Sequence, residues 1–397
     1  MIEAKNVHME HLEDIVWKHG VMGARQSINF LQGLRDMLAG KSEQAVNTTV
    51  KWDGAPAIIV GKDNDELFVA TKSYFNKTPV MYKTEQEINN ADLNTDLADK
   101  LRAALKHLSN INLGGRVLQG DFLFTKKDLE VTTIDDEEMV VFHPNTIAYT
   151  VPKDSKLGQK ILSSEIGIVF HTVYSDSTNY DFDISSINEI PNTWLIDANY
   201  QDVSGNATFT ESETKQITKI LSSAGTQFRR VNSRLLNRIA LDPIAVKMIL
   251  IHHNTFIREG KPIPNSMAFT KSLQLFLRQR ALKEINALKT ETGQIRKRGT
   301  LKLVLELSKI APSQLGNIIE LQRLIIDAKH IIIKKLNKAA KVNTLLKTKD
   351  GYRLTGEEGY VAIDRKGNAV KLIDRLEFSY ANFSNEIIKG WSNDSRR

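Results

Sequence analysis

Between residues 206 and about 345 the chain runs through helix-forming segments almost without interruption, and this block constrains the fold more than any other feature. "ESETKQITKILSSAG", "FRRVNSRLLNRIA" and "LQRLIIDAKHIIIKKLNKAAKV" repeat apolar residues at three- and four-residue spacing, the period of an amphipathic helix. Lys and Arg outnumber Asp and Glu there by roughly three to one. The whole chain of 397 residues has a formal net charge of only +7, so the remainder is net acidic. Any fold for this sequence must therefore house a basic, all-α segment between two parts of a different kind.

The flanks are mixed. Residues 7 to 39 read as a helix with Leu12, Ile15, Val16, Ile28, Leu31, Leu34 and Met37 on its apolar face, split at Gly20 and Gly23. From 47 to about 75 the pattern becomes strand, turn, strand, with Asp63-Asn64-Asp65 at the turn. Residues 84 to 108 return to helix, and "GGRVLQGDFLF" (114–124), "MVVFHPNTIAYTV" (139–151) and "IGIVFHTVYS" (166–175) each predict one strand. After the helical block, "GEEGYVAIDRKGNAVKLIDRLEFS" (356–379) predicts strand, turn, strand with Gly367-Asn368 at the turn. The fold class is α+β with an antiparallel sheet: a core in two parts, 1–205 and 346–397, and a basic helical insertion, 206–345.

Several function classes drop out. The chain has no cysteine, which excludes disulfides, thiolate zinc sites and a cysteine nucleophile, and fits a reducing cytoplasm. Its first residues are polar and acidic, unlike a signal peptide, and no apolar run approaches the roughly 20 residues of a membrane span. His252 and His253 are neighbours on a helix and point about 100° apart, so they read as structural. "GKPIPN" (260–265) lacks the surrounding pattern of a phosphate loop.

One stretch between strands carries chemistry: Lys51-Trp52-Asp53-Gly54 in "TTVKWDGAPAIIVG". Alone it reads first as a hairpin with a surface lysine. Further along, the chain carries in order Lys72 in "VATKSYF", Asp121 in "LQGDFLF", Phe170 in "GIVFHTVY", Glu358 in "EEGYV" and Lys371 in "AVKLIDR". Taken singly these are a strand-edge carboxylate, a core aromatic, a turn residue and solvated lysines.

Together and in this order they resemble the covalent nucleotidyltransferase superfamily of ATP-dependent DNA ligases, RNA ligases and mRNA capping enzymes. The family's K-x-D-G motif matches Lys51 to Gly54, and its E-G-x-V motif matches Glu358-Gly359-Tyr360-Val361. The resemblance covers roughly residues 45–175 and 350–380, and implies an antiparallel-sheet nucleotidyltransferase (ATP-grasp-like ligase) core with the α segment inserted in it. It implies ATP as cosubstrate and Mg2+ or Mn2+ as metal. Lys51 would attack the α-phosphate and form a lysyl-AMP, with Asp53 and Lys371 as further catalytic residues. Lys371 would neutralise phosphate charge and depress the pKa of Lys51. Glu358 and Asp121 would bind the metal, Asp121 or Lys72 the ribose, and Phe170 would stack on the base. Gly54 would let the backbone pass close to the nucleotide.

The sequence also departs from that family. Asp121 stands where glutamate is usual, and Ile373 stands where a second lysine is usual, with Arg375 two residues on. Only about twenty residues come after the last motif, too few for an OB-fold domain, so the expected relatives are RNA-ligase-like. The overall character resembles proteins of large tailed bacteriophages, which implies a host cytoplasm. Arg229, Arg230, Arg278, Arg280, Arg296, Lys297, Arg298, Lys334 and Lys335 are the densest basic clusters of the helical block and predict an RNA or DNA contact through phosphates. The expected function is therefore an ATP-dependent polynucleotide ligase. The alternatives are a degenerate nucleotidyltransferase-like module that binds nucleic acid without turnover, and a capping-type nucleotidyl transfer.

Overall fold

A computed structural model of the protein describes residues 9–41, 46–174, 178–179, 182–201, 208–338, 342–364 and 369–390. In chain order the first elements are β1 (Glu10–His11), α1 (Ile15–Leu38), β2 (Val46–Lys51), β3 (Ala57–Asp63), β4 (Glu66–Ala70), α2 (Glu85–Asn90) and α3 (Thr95–His107). Next come β5 (Val117–Thr125), β6 (Leu129–Ile134), β7 (Glu137–Phe142), β8 (Ile147–Pro152), α4 (Lys156–Leu162), β9 (Ile166–Tyr174), β10 (Thr178–Asn179) and β11 (Thr193–Asp197). The helical segment holds α5 (Glu211–Arg230), α6 (Ser233–Ala240), α7 (Pro243–Arg258), α8 (Ser266–Asn286), α9 (Glu291–Thr300), α10 (Lys302–Leu307) and α11 (Pro312–Leu336). The chain closes with β12 (Asn343–Thr348), β13 (Gly351–Leu354), β14 (Gly359–Asp364), β15 (Ala369–Leu372), α12 (Arg375–Phe383) and β16 (Ile387–Ile388).

The strands form three sheets, and the protein is a mixed α+β fold with mostly antiparallel pairing. Sheet A has the order β1-β15-β14-β2. Sheet B has the order β10-β9-β5-β3-β4, with β11 also on β9. Sheet C has the order β13-β12-β8-β7-β6, with β16 also on β12.

Strand alternation sets the layers. On sheet A, Val50, Tyr360, Ala362, Val370 and Leu372 share a hydrophobic core with α1 and the helical segment. Their neighbours Lys51, Val361 and Lys371 face the other way, as a period of two demands. Sheet B buries Ile58, Val60, Leu118, Phe122, Ile168 and Phe170 against α3. Its opposite face turns toward sheet A. Trp52, Phe124, Phe142, Tyr149 and Trp194 join sheet C to sheet B in a third core.

Several local expectations change in the structure. The helix expected from residue 7 begins at Ile15, because Glu10 and His11 pair in parallel with Val370 and Lys371 as an edge strand. Its break falls at Gly20, with φ of +62°. A side chain there would meet Asn237 Oδ1 at 2.5 Å, and that oxygen accepts a hydrogen bond from the Val21 N–H at 2.9 Å. The single strand expected over 139–151 is instead a hairpin, β7 and β8, and the helix expected over 84–108 is two, α2 and α3. Asn64 and Asp65 make the expected turn, both with positive φ. The turn expected at Gly367-Asn368 lies outside the described residues. His252 and His253 are buried in the helical segment, His252 among the rings of Phe256, Phe269 and Phe276.

The helical segment is tied to sheet A by buried charge as well as by apolar packing. Lys329 on α11 and Glu13, before α1, are each 1% exposed and paired at 2.8 Å. Arg375, the first residue of α12, lies 3.6 Å from Glu13 and 3.1 Å from Asp14. Breaking one side of such a pair strands a charge in a medium that cannot solvate it, at roughly 3–5 kcal/mol. Lys329→Met should lower stability by about that amount in urea denaturation. Adding Glu13→Leu to it should recover part of the loss, and strictly additive losses from the two changes would exclude the coupling.

Candidate active site

Sheets A and B enclose a cavity of about 380 Å³. Most of the residues singled out in the sequence line it: Lys51, Lys72, Asp121, Glu358, Lys371 and, at its rim, Asp53 with Gly54. They come from β2, the turn after β4, β5, the approach to β14, and β15, so residues from opposite ends of the chain meet in one cleft.

Each residue of Lys51-Trp52-Asp53-Gly54 is committed to a different neighbour. Lys51 ends β2 opposite Gly359, which places its Nζ in an ion pair with Glu358 Oε2. Trp52 is buried 4.8 Å from the Tyr149 ring. The Asp53 carboxylate accepts hydrogen bonds from Asn145 Nδ2 at 2.7 Å, the Thr146 N–H at 2.8 Å and the Ile147 N–H at 2.9 Å. Its own N–H donates to the Tyr149 hydroxyl at 2.6 Å. Asp53 thus shapes the β7–β8 hairpin, with its carboxylate taken up by these three hydrogen bonds. Gly54 makes a close approach, but to protein: a Cβ there would lie 2.6 Å from the Asp121 Cβ.

The electrostatics also differ from expectation. Burial lowers the pKa of Lys51, but the carboxylates of Glu358, Asp121 and Asp53 together outweigh it, so Lys51 stands above the ordinary lysine value. The lowering expected from the Lys51–Lys371 pair appears on Lys371, whose own pKa is lowered by burial and then by the Lys51 charge. The reason is proximity, since Glu358 is in contact with Lys51. Burial pushes Glu358 up to about 7, partly offset by Lys51.

Phe170 is not brought to the cavity. It is fully buried against Phe182 on the helix-facing side of sheet B. A β-bulge explains the miss: Gly120 pairs with Phe170 but Gln119 pairs with Thr172, which leaves His171 as the extra residue. Past the bulge the alternation shifts phase, so Val169, His171, Thr172 and Tyr174 all line the cavity. His171 Nε2 lies 3.4 Å from Asp121 Oδ2. A strict period of two over 166–174 could not reveal this. Gly120 under Phe170, where a Cβ would sit 2.9 Å from the ring, is the one sequence signal for it.

Arg375 is engaged with Asp14 and Asn254 and does not replace the second lysine; Ile373 fills that place and is buried over Gly359. Among the described residues no cluster of three or more His, Asp or Glu forms a metal-ligand set, while Glu358 and Asp121 face the same cavity. The basic clusters lie elsewhere. Arg229 and Arg230 end α5, Arg278 and Arg280 lie on α8, and Arg296, Lys297 and Arg298 lie on α9, which buries none of its residues. The arginines are exposed; Arg280 and Lys297 both pair with Glu284, and Lys335 with Glu213. All belong to the layer that covers the face of sheet A away from the cavity.

The fold and site together define an α+β protein with a lysine- and carboxylate-lined cleft between two sheets. The chain belongs to DUF6267, a family of unknown function, whose profile matches residues 6–387. No curated protein matches it, and no solved structure does.

Beside Glu358 sits Glu357, 8% exposed, with neither carboxylate oxygen hydrogen-bonded among the described residues. Burial, then the Glu358 charge, pushes it up to about 8. Both folded values lie above the ordinary 4.5, so the native state binds protons that the unfolded chain has released. This contribution to stability is complete below about pH 4.5 and is lost as pH rises through about 7 and 8. In metal-free buffer the thermal midpoint should fall between pH 5 and 9, and Glu357→Gln should flatten the fall and leave the variant above wild type at pH 9. An unchanged slope in the variant would remove Glu357 as its source.

Proposed function

We propose that the protein is an ATP-dependent nucleotidyltransferase of the polynucleotide-ligase type, built on a nucleotidyltransferase core and acting through a lysyl-AMP at Lys51. The observation that carries this reading is the convergence of Lys51, Lys72, Lys371, Asp121 and Glu358 in one cavity of nucleotide size. Lys72 and Lys371 have no ion-pair partner among the described residues, so their charge is available to phosphate.

At rest Lys51 is protonated, and a protonated amine cannot attack. Glu358, pushed up to about 7, is the base beside it. The Lys51 proton passes to Glu358 and the Nζ lone pair attacks the α-phosphorus. The N–P bond forms as the bond to the β-phosphate oxygen breaks, and pyrophosphate leaves. Lys371 and Lys72 balance the charge on the phosphate oxygens through the transition state. Asp121 is the carboxylate that would hold Mg2+ or Mn2+, with remaining ligands from phosphate and water, while Glu358 is taken up by the Lys51 proton; when bound, the ion would supply further charge neutralisation. The AMP would then pass to a terminal phosphate of RNA or DNA: an oxygen of that phosphate bonds the phosphorus as the N–P bond breaks, and Lys51 leaves as the amine, retaking the proton from Glu358.

A second reading is favoured by one pair of observations: Lys51 is locked to Glu358, and Ile373 replaces a lysine. On that reading the cavity binds a nucleotide without turnover. Incubation with α-labelled ATP and magnesium should give a covalent label that is absent in Lys51→Ala and at least tenfold weaker in Lys371→Ala. No label with ATP or GTP, in protein freed of bound adenylate, would sink the enzyme reading.

Nucleic-acid binding through the helical layer is expected to weaken steeply with salt, with a log–log slope of roughly −0.7 to −0.9 per phosphate contact. Arg296→Ala with Arg298→Ala should make that slope shallower by about one to two units. Salt-insensitive binding would contradict a phosphate contact.

A further inference from the structure

The wall that sheet B presents to the cavity is graded. Along the register across β4, β3, β5 and β9, one level holds Ala57, Asp121 and Val169, with Lys72 two residues beyond Ala70 at its outer end. The next level holds Ala70, Ile59, Gln119 and Thr172 and carries no charge. The third pairs Val117 with Tyr174, within an apolar cluster that includes Phe68. Charge thus gives way to neutral polar groups and then to apolar ones. A ligand that is anionic at one end and a flat, neutral heterocycle at the other matches that order.

The two polar side chains of the middle level each have a hydrogen-bond partner within the wall. The Tyr174 hydroxyl donates to Gln119 Oε1 at 2.7 Å, which leaves the Gln119 Nε2 amide as a donor facing the cavity. His171 Nδ1 and Thr172 Oγ1 are 2.7 Å apart, and His171 Nε2 faces Asp121. With the ring proton on Nε2 toward that carboxylate, Nδ1 is the acceptor and the Thr172 hydroxyl donates to it. The lone pairs of Thr172 Oγ1 are then what the cavity meets. Gln119 and Thr172 are direct cross-strand partners, so one donor and one acceptor stand side by side.

We propose that Gln119 and Thr172 are the base-reading residues of this cavity: the Gln119 amide donates to a ring nitrogen, and Thr172 Oγ1 accepts from an adjacent exocyclic amine, the pattern on the edge of adenine. His171 and Asp121 are positioning residues that set the sense of the threonine hydroxyl. This rests on the nucleotide reading above. It replaces recognition by a stacked Phe170 with recognition by hydrogen bonds, which discriminate because a buried group left unpaired is penalised.

The test measures binding of ATP, purine riboside triphosphate (which lacks the exocyclic amine) and tripolyphosphate to the full chain by calorimetry. Wild type should prefer ATP over purine riboside triphosphate by about threefold to tenfold, one hydrogen bond's worth. Thr172→Val, nearly isosteric and strand-compatible, should abolish that preference. Gln119→Leu should weaken both nucleosides' triphosphates by a similar factor and leave tripolyphosphate unchanged, which also reports that the cavity is intact. Unchanged base preference in Thr172→Val, or equal losses for ATP and tripolyphosphate in Gln119→Leu, would overturn the assignment. If wild type binds tripolyphosphate but labels at Lys51 without regard to the base, the assignment falls while the transferase reading stands; if wild type binds none of the three, the nucleotide reading itself falls.

Discussion

The alternation of side chains along sheet A is the constraint on which the site depends. Its strands β2, β14 and β15 each carry one row of apolar residues into the helical core and one row into the cleft. Val50, Tyr360, Ala362, Val370 and Leu372 are held by packing, and Lys51, Val361 and Lys371 are placed by the same geometry. A slip of one residue in any pairing would bury a lysine among helices and expose a core residue to the cavity. The helical segment therefore fixes the register of the strands that carry the cavity's cations, and the buried Glu13–Lys329–Arg375 charges lie at the edge of that same sheet.

Asp53 has a comparable role at the other end of the cleft. Its carboxylate gathers two backbone N–H groups and an amide of the β7–β8 hairpin, so the loop that leaves Lys51 is fastened to sheet C. Gly54 then lies against β5, where any side chain would push on Asp121. Two residues of a four-residue motif thus align sheets that share no strand. The lysine stays free to meet Glu358 because its neighbours take up the structural demands.

How much of this is legible in the sequence depends on the range of the interactions involved. The α+β character, the helical segment, the strands bearing Lys51, Asp121 and Lys371 and the strand that follows Glu358 come from local periodicity, and these four residues all line the cavity. Phe170 escapes that reading because a bulge is a two-strand event: it depends on how β9 meets β5, not on β9 alone. The hairpin over 139–151 reads as one strand because the partner that bends it, Asp53, is about ninety residues away in sequence. The sense of the Lys51 shift is hidden for a similar reason. Residue types name the charges correctly, but whether a lysine or a carboxylate sits nearest decides the sign.

The same layering bears on how a polynucleotide could engage this protein. The basic clusters and the cavity lie on opposite sides of sheet A. A chain touching both would have to pass an edge of that sheet, and the edges are β1 and β2. The β2 edge continues directly into the buried Trp52 and Asp53. At the β1 edge the strand is only two residues long, and Met9 just before it lines the cavity. Across the sheet from that edge Lys371 on β15 comes before Lys51 on β2, so the cation nearer the β1 edge is the one whose pKa is lowered, by burial and then by the Lys51 charge.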